Sequence, residues 1–215
     1  FHKQTLHEKI KIGYFSSDFK HHAMSHLLAG MFECHDKSKF ELYGFSLTRS
    51  KNDEMRKRII SSFDQFIDVS SKSEAKIAEL SRKLNIDIAI DLMGFTKLNR
   101  FRIFLNRCAP IQINYLGYPG TLGSDCIDYI IADETLITKK ETEHYTEKVI
   151  YLPDTYQAND QSRKISKKKF TRKQFNLPED KFVFCCFNKK YKFNPSIFNL
   201  WMRLLKKNAN SVLWL

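Results

Sequence analysis

The sequence predicts an α/β protein built around a mostly parallel, doubly wound sheet, and three observations support this fold class. Short β-rich segments alternate with helical stretches of about 10–15 residues, which is the order of βαβ units. Hydrophobic residues make up 42% of the 215 residues, enough to fill a core, while Gly and Pro number only 7 and 5. Polar or glycine-containing loops follow several of the strands. Right-handed crossovers would therefore place helices on both faces of the sheet.

The first strand is predicted over Lys9–Phe15, where β-favouring residues alternate before the polar loop Ser16–His22. Apolar residues at helical spacing then predict a helix over Ala23–Cys34. A later helix begins at Ser73, whose side chain is expected to be its N-cap. The same reasoning predicts, in order, strand Phe40–Phe45, helix Asp53–Ser62, strand Phe63–Val69, helix Ser73–Leu84 and strand Ile86–Leu92.

The remaining elements complete one domain and begin another. They are helix Leu98–Asn106, strands Ile111–Leu116, Asp128–Ala132 and Val149–Leu152, then strand Phe182–Phe187, helix Pro195–Lys207 and strand Val212–Leu215. We therefore expect a first domain over residues 1–153, a basic linker over residues 154–180, and the opening βαβ unit of a second domain over residues 181–215. Because the chain opens on Phe1 and stops on an apolar strand, we expect a piece of a longer protein with its second lobe truncated.

Positive charge is concentrated toward the end of the chain. The net charge is +12, yet residues 1–138 hold 19 Lys and Arg against 17 Asp and Glu, whereas residues 139–215 hold 17 against 7. Arg163–Lys173, called the basic segment below, has seven basic residues in eleven and no acid. Such a segment could attract nucleic acid, an anionic membrane or an acidic partner. A solvated linker is the favoured interpretation, and nucleic acid is not expected, because groups that read or stack on bases are nearly absent.

Cysteine usage and hydropathy indicate the redox environment and the cellular location of the protein. The five cysteines are an odd number without a Cys-x-x-Cys pair, which favours reduced thiols over a disulfide framework or a zinc site. No run of 18 apolar residues appears, and Phe1–Ile10 contains no secretory signal. The sequence therefore predicts a soluble, cytoplasmic protein without a membrane partner.

Ligands of doubly wound sheets bind beyond the carboxyl ends of the strands, so the loops at those ends are the candidate sites. They are Ser16–His22, Gly94–Lys97, Gly117–Gly123 and Asn188–Lys192. The glycine-rich loop Gly117–Gly123 could bring its backbone close to a ligand, or could be a simple turn.

Charged and titratable residues in these positions each allow two interpretations. His22 could relay a proton or hold a hydroxyl, or could be an ordinary polar residue. Lys192 and its neighbours precede a helix N-terminus, which suits a phosphate but also a solvated turn. Asp91, near the end of its strand, could be an acid of the site or a cap on the next loop. No Asp-x-Asp motif occurs, so no metal anchor for a nucleotide diphosphate is predicted.

Taken together, these segments resemble the catalytic region of the protein O-linked N-acetylglucosamine transferases, including the bacterial proteins that carry tetratricopeptide repeats. The matching segments occur in the same order as in the family and extend over nearly the whole chain. They are Ile12–Phe19 with His22 and Ser25–Leu27, Asp91–Lys97, Ala109–Gln112, Leu116–Thr121, Asp128–Asp133, Tyr145–Lys148, Phe187–Asn188, Tyr191–Lys192, Pro195 and Asn210–Leu215.

The resemblance implies a GT-B glycosyltransferase with two Rossmann-like lobes that uses a UDP-sugar and needs no metal or other cofactor. It implies inverting transfer of N-acetylglucosamine or another sugar to Ser or Thr of an acceptor protein or peptide. Transfer to Asn, to a small molecule or to a glycan stays open, as does a non-catalytic basic binding module. The rest of the C-terminal lobe and upstream tetratricopeptide repeats are expected elsewhere in the same protein, and this piece alone is expected to be inactive.

The resemblance also implies roles for single residues. His22 corresponds to the histidine proposed as proton acceptor or acceptor-orienting group, and Lys192 to the lysine that contacts the diphosphate. Leu116 and Gly117 correspond to backbone contacts with the sugar and the acceptor, and Tyr191 to a tyrosine beside the UDP. Donor or substrate binding is further expected of Tyr118, Pro119, Gly120, Thr121, Lys189 and Asp91. Two departures stand out: Lys189 replaces a Gln of the animal enzymes near the nucleotide, and Ala23 replaces a Pro after the histidine.

Overall fold

The computed structural model describes residues 8–215. The chain forms two compact units, which divide between Arg163 and Lys164. No helix among the described residues is long and apolar enough to cross a membrane.

The first unit contains a seven-stranded sheet in which every neighbouring pair of strands is parallel. The strand order is β3-β2-β1-β4-β5-β6-β7, so the predicted doubly wound parallel sheet is confirmed. Its strands are β1 Ile10–Ser16, β2 Phe40–Ser46, β3 Gln65–Asp68, β4 Ile88–Asp91, β5 Ile111–Tyr115, β6 Tyr129–Ala132 and β7 Lys148–Tyr151. Its helices are α1 Ala23–Glu33, α2 Glu54–Ser62, α3 Glu74–Lys83 and α4 Arg102–Leu105.

Hydrophobic side chains cover both faces of this sheet. Successive residues of β1 point to opposite faces, so Tyr14 joins one core cluster and Phe15 the other. The Tyr14 cluster includes Phe32 of α1, and the Phe15 cluster includes Ile77 of α3. The two helices therefore pack on opposite faces, as doubly wound topology requires.

Side-chain caps begin three of the four α-helices of the first unit, α1, α2 and α3. Ser73 accepts a hydrogen bond from the Lys76 N–H, which confirms its predicted role at the start of α3. Asp53 caps α2 in the same way, accepting from the Arg56 N–H at 2.8 Å. His22 caps α1 through its imidazole, a less common capping group. Each cap satisfies a backbone donor that the helix itself leaves unpaired.

The predicted helix Leu98–Asn106 is wrong in length, because only Arg102–Leu105 is helical. Leu98 has a φ of +66°, in the left-handed region that a helix excludes. The Asn99 side chain then accepts from the Phe101 N–H and donates to the Thr96 carbonyl, which stabilises a turn instead.

The first unit continues past the predicted boundary at Pro153, to Arg163. Tyr156 binds it at two points: its N–H donates to Asp133 and its carbonyl accepts from the Tyr115 hydroxyl, both at 2.8 Å. Asp160 then pairs with Arg58 at 2.6 Å. The residues between 153 and 163 therefore pack on the first unit, although their polar composition resembles a linker.

The second unit contains a parallel strand pair and one long helix. Strand β8 covers Phe182–Cys185, helix α5 covers Pro195–Lys207 and β9 covers Ser211–Trp214. Asn194 caps α5 by accepting from the Ile197 N–H at 2.9 Å, and Pro195 occupies its first turn as predicted. Short 3-10 helices lie at Arg172–Phe175 and Lys190–Lys192. No residue from 164 to 215 is buried.

Candidate active site

A cavity opens where the winding of the first sheet changes direction. The chain runs from β1 outward through β2 and β3, then crosses back to β4 on the other side of β1. Loops that leave the carboxyl ends of β1 and β4 therefore diverge, which creates the crevice where doubly wound folds bind ligands. The cavity has a volume of about 290 Å³ and is lined by Asp18, His22, Met24, Leu92, Thr96, Lys97, Leu98 and Gly117.

Two of the predicted site residues, His22 and Gly117, meet in this cavity. Thr96, Lys97 and Leu98 also line the cavity, and the sequence predicts a candidate loop at Gly94–Lys97 but no role for these three side chains. The position of that loop after a strand is the feature of the sequence that predicts its place in a site. Which of its side chains would face the cavity depends on the left-handed turn at Leu98, which local patterns do not predict.

The His22 ring has its Nδ1 atom engaged on the protein side. The Met24 N–H donates to Nδ1 at 3.3 Å, so a neutral His22 carries its proton on Nε2. An Asp18 carboxylate oxygen lies 3.5 Å from the same Nδ1. The His22 ring therefore offers a hydrogen-bond donor at Nε2.

Asp18 is itself held in place by the first turn of α1. Its carbonyl accepts from the buried hydroxyl of Ser25, and its N–H donates to the Ser16 hydroxyl at 3.0 Å. The loop between β1 and α1 is thus fixed at both ends. His21, by contrast, does not line the cavity, and its ring contacts His26 with 3.1 Å between nitrogens.

The turn at Leu116 and Gly117 brings the end of β5 against the end of β4. Leu116 has a φ of +66°. A Cβ atom on Gly117 would lie 2.0 Å from the Leu92 carbonyl oxygen, so only glycine fits there. The backbone of Gly117 therefore forms part of the cavity wall, and its predicted approach to a ligand stays a prediction.

The following residues are held by contacts within the protein. The Asn114 amide donates to the carbonyls of Tyr118 and Gly120, and the Tyr145 hydroxyl donates to the Pro119 carbonyl at 3.0 Å. Thr121 donates its hydroxyl to the buried carboxylate of Glu147 at 2.7 Å. Tyr118, Pro119, Gly120 and Thr121 are not among the residues that line this cavity, and their part in substrate binding stays a prediction.

Asp91 does not line the cavity, although its neighbour Leu92 does. Its side chain accepts from the N–H groups of Met93 and Gly94 at 2.9 and 3.1 Å, and the residue is only 1% exposed. Burial raises the pKa of this carboxyl to about 6, although the two backbone hydrogen bonds oppose the rise. The geometry matches the alternative interpretation, a cap on the loop after β4.

The predicted residues of the second unit lie together just before α5. Lys192 and Tyr191 belong to the 3-10 helix, and Lys189 precedes it, with its carbonyl accepting from the Lys192 N–H at 2.9 Å. All three are exposed. Lys192 and Lys189 precede Pro195 by three and six residues, so their positive charge lies close in sequence to the positive end of the α5 dipole. Within residues 8–215 no three His, Cys, Asp or Glu side chains gather as metal ligands would.

The sheet order and the cavity at its switch point define a Rossmann-like lobe, and comparison with solved structures identifies the lobe as the GT-B type of glycosyltransferase. An O-GlcNAc transferase mutant from Thermobaculum terrenum aligns with 96% of this chain at a TM-score of 0.81 and 27% identity. The model of Glycosyl transferase family 41 matches residues 1–169 and 165–215. The chain therefore belongs to glycosyltransferase family 41.

Named relatives agree with this assignment. The Arabidopsis thaliana protein SEC, named as a probable UDP-N-acetylglucosamine–peptide N-acetylglucosaminyltransferase, is 41% identical over 97% of this chain. The Caenorhabditis elegans UDP-N-acetylglucosamine–peptide N-acetylglucosaminyltransferase is 35% identical over 74% of it. The chain spans only 22% and 14% of the length of these relatives, and 38% of the Thermobaculum chain.

Proposed function

We propose that this chain is part of a UDP-sugar-dependent glycosyltransferase that transfers N-acetylglucosamine, or another sugar, to Ser or Thr hydroxyls of proteins. The observation that carries the proposal is the cavity in which His22 and Gly117 meet at the switch point of a family 41 lobe. The names of the relatives support the donor and the peptide acceptor.

The proposed reaction is a single displacement with inversion. The acceptor oxygen forms a bond to the anomeric carbon while the bond from that carbon to the diphosphate breaks, and the hydroxyl proton leaves with the solvent or a nearby base. Rate enhancement would then come from positioning the reactants and from stabilising the charge of the leaving UDP.

His22 fits an orienting role in this reaction. Because Met24 occupies Nδ1, the neutral ring presents Nε2–H, which can donate a hydrogen bond but cannot accept the acceptor proton. We propose that His22 donates to an oxygen of the bound substrates. Lys97 and the backbones of Leu116 and Gly117 would complete the sugar and acceptor contacts.

Lys192 and the N-terminus of α5 fit the diphosphate. A lysine ammonium and the free N–H groups of a helix N-terminus together form an anion site. We propose that Tyr191 and Lys189 contact the nucleotide beside it, and that this positive charge makes a resident metal or other cofactor unnecessary. We also propose that the full-length protein contains the rest of the C-terminal lobe and tetratricopeptide repeats upstream, and that it is cytoplasmic.

The experiment is a transfer assay of the full-length protein with UDP-N-acetylglucosamine and an acceptor peptide. We expect Lys192→Ala to reduce kcat by about 100-fold or more, because the leaving diphosphate loses its main cation. Lys190→Ala is the matched control, since it removes the same charge from the same 3-10 helix. Undiminished transfer by Lys192→Ala, or an equal loss in both variants, would contradict the proposed role.

His22 is tested in the same assay against its neighbour. We expect His22→Ala to reduce kcat/KM strongly, because it removes both the donor and the cap of α1, whereas His21→Ala lies outside the cavity lining and leaves transfer near the wild-type rate. His22→Asn, which can still cap the helix, separates the two effects. Wild-type transfer by His22→Ala would leave this residue a structural role only.

A further inference from the structure

The second unit carries nearly all of the net charge of this chain. Residues 164–215 contain 13 Lys and Arg but only Glu179 and Asp180, a balance of +11, against +12 for the whole chain. The first 163 residues hold the other 23 basic and 22 acidic residues, which almost cancel. One quarter of the sequence is therefore a concentrated source of positive potential.

This charge is not neutralised within the structure. Among the described residues every ion pair lies in the first unit, and none involves a cation of residues 164–215. All 13 of these cations except Lys181 are exposed. Uncompensated, exposed positive charge at this density attracts a polyanion from solution.

The basic segment is the densest part of this surface and is exposed at every residue. Lys167, Lys168 and Lys169 are consecutive, and their ammonium groups make no hydrogen bond or ion pair within residues 8–215, although that of Lys168 lies 5.1 Å from the centre of the Phe170 ring. Arg172, by contrast, donates to the carbonyls of Pro178, Glu179 and Lys181. The three lysine side chains are therefore free to bind a ligand, while the hydrogen bonds from Arg172 fix the backbone that follows them.

Aromatic side chains in and near the basic segment pack against one another. Phe175 packs between Phe170 and Trp214, with ring centres 5.7 and 5.3 Å away. Single-stranded nucleic acids are bound by rings on which bases can stack and by guanidinium forks that grip phosphate. Here the rings of Phe170, Phe175 and Trp214 pack against one another, so these features favour carboxylates over stacked bases.

We propose that the second unit, through the basic segment, binds acidic stretches of polypeptide and so recruits acceptor proteins that carry Glu- and Asp-rich sequences. This inference rests on the proposed function, because it names the class of acceptor that the transferase would select. The attraction is long-ranged and screened by salt, so it speeds encounter and strengthens a weak complex without fixing one bound geometry.

The test measures binding of a fluorescently labelled peptide, a Ser-containing acceptor followed by a run of glutamates, to the full-length protein. The triple variant Lys167→Gln, Lys168→Gln, Lys169→Gln should raise Kd by about tenfold at low salt, and the difference should shrink as NaCl rises to about 300 mM. The three side chains have no polar partner among the described residues, so the variant is expected to fold.

The matched control is Lys72→Gln, Lys76→Gln, Lys140→Gln, which removes the same charge from exposed lysines of the first unit. This control should leave Kd within about twofold of the wild type. Equal weakening by both triple variants would overturn the inference, because only net charge would then matter. Tighter binding of random single-stranded RNA or of anionic vesicles than of the glutamate peptide would also overturn it.

Transfer rates keep this inference separate from the proposed function. Wild-type protein should glycosylate the glutamate peptide with a lower KM than its glutamine counterpart, and the 167–169 variant should lose that preference while keeping its kcat. Transfer to both peptides at equal KM by the wild type would overturn the inference alone. Absence of transfer to either peptide, with tight binding of the acidic one, would contradict the proposed function alone.

Discussion

His22 serves both the fold and the cavity through a single ring. Its Nδ1 caps α1, which leaves Nε2 as the atom available to a ligand. An Asp18 carboxylate oxygen also lies 3.5 Å from Nδ1. A substitution of His22 therefore affects both the start of α1 and the lining of the cavity.

Asp91 gives a prediction that concerns stability and pH. Its pKa in the fold, about 6, lies above its ordinary value, so between pH 4 and 6 the folded chain binds more protons than the unfolded one. The contribution of Asp91 to the free energy of unfolding is therefore greatest at low pH and falls by about 3 kcal/mol as pH rises through this window.

The test compares Asp91→Asn with the wild type by urea unfolding from pH 4 to 7. The free energy of unfolding of the variant, relative to the wild type, should increase as pH rises to about 6 and stay constant above it. An unchanging difference across the range would contradict a protonated Asp91. A difference that falls with rising pH would mean that the hydrogen bonds from Met93 and Gly94 outweigh burial.

The segment after Pro153 is attached to α1 and α2 by a charged cluster. Arg58 of α2 contacts Glu33 of α1 and Asp160 at 2.6 Å each, and the Asp160 side chain is almost fully buried. Gly30 of α1 allows the approach, because a Cβ there would lie 3.0 Å from an Asp160 carboxylate oxygen. The Arg58 guanidinium holds the pKa of Asp160 well below its usual range.

We expect Asp160→Asn to lower the free energy of unfolding by about 2 kcal/mol at neutral pH, since Arg58 loses a buried partner but keeps Glu33. A carboxyl with a lowered pKa stabilises the fold above its unfolded pKa, so the loss should shrink as pH falls below about 4. Glu54→Gln, which breaks the exposed pair with Lys57, is the control and should cost less than about 0.5 kcal/mol. A loss for Asp160→Asn no larger than that of the control would refute the anchor.

Burial is unequal between the two units of the molecule. Strands β1 and β4 lie in the middle of a seven-stranded sheet with many fully buried residues, whereas β8 and β9 form a two-stranded pair without a buried residue. Two strands alone are at most marginally stable in water. Local opening should therefore require less free energy in the second unit.

Hydrogen exchange of this chain checks that difference. Amides in β8 and β9 should exchange at least about 100-fold faster than those in β1 and β4, which we expect to open only with the whole first unit. Strand β3, at the edge of the large sheet, is the internal control and should exchange at an intermediate rate. Protection of β8 equal to that of β1 would show that burial does not govern opening here.

Local patterns of the sequence predict much of this architecture. Alternation of β-rich and helical segments predicts the parallel sheet, because period-2 and period-3.6 patterns reflect contacts within a few residues. Helix α5 has the bounds predicted for it, since Asn194, Pro195 and the amphipathic repeat all act locally. The uneven charge is likewise readable from composition, as is the family from motifs that keep their order along the chain.

The cavity and the buried charges depend instead on contacts between distant parts of the chain. His22, Lys97 and Gly117 meet only because β1, β4 and β5 are neighbours in the sheet. Asp91 becomes a buried cap because the packed sheet covers it, and Asp160 becomes an anchor because the fold brings it to Arg58 of α2. Burial and long-range pairing are properties of the packed chain, so they stay invisible until strands separated by tens of residues lie side by side.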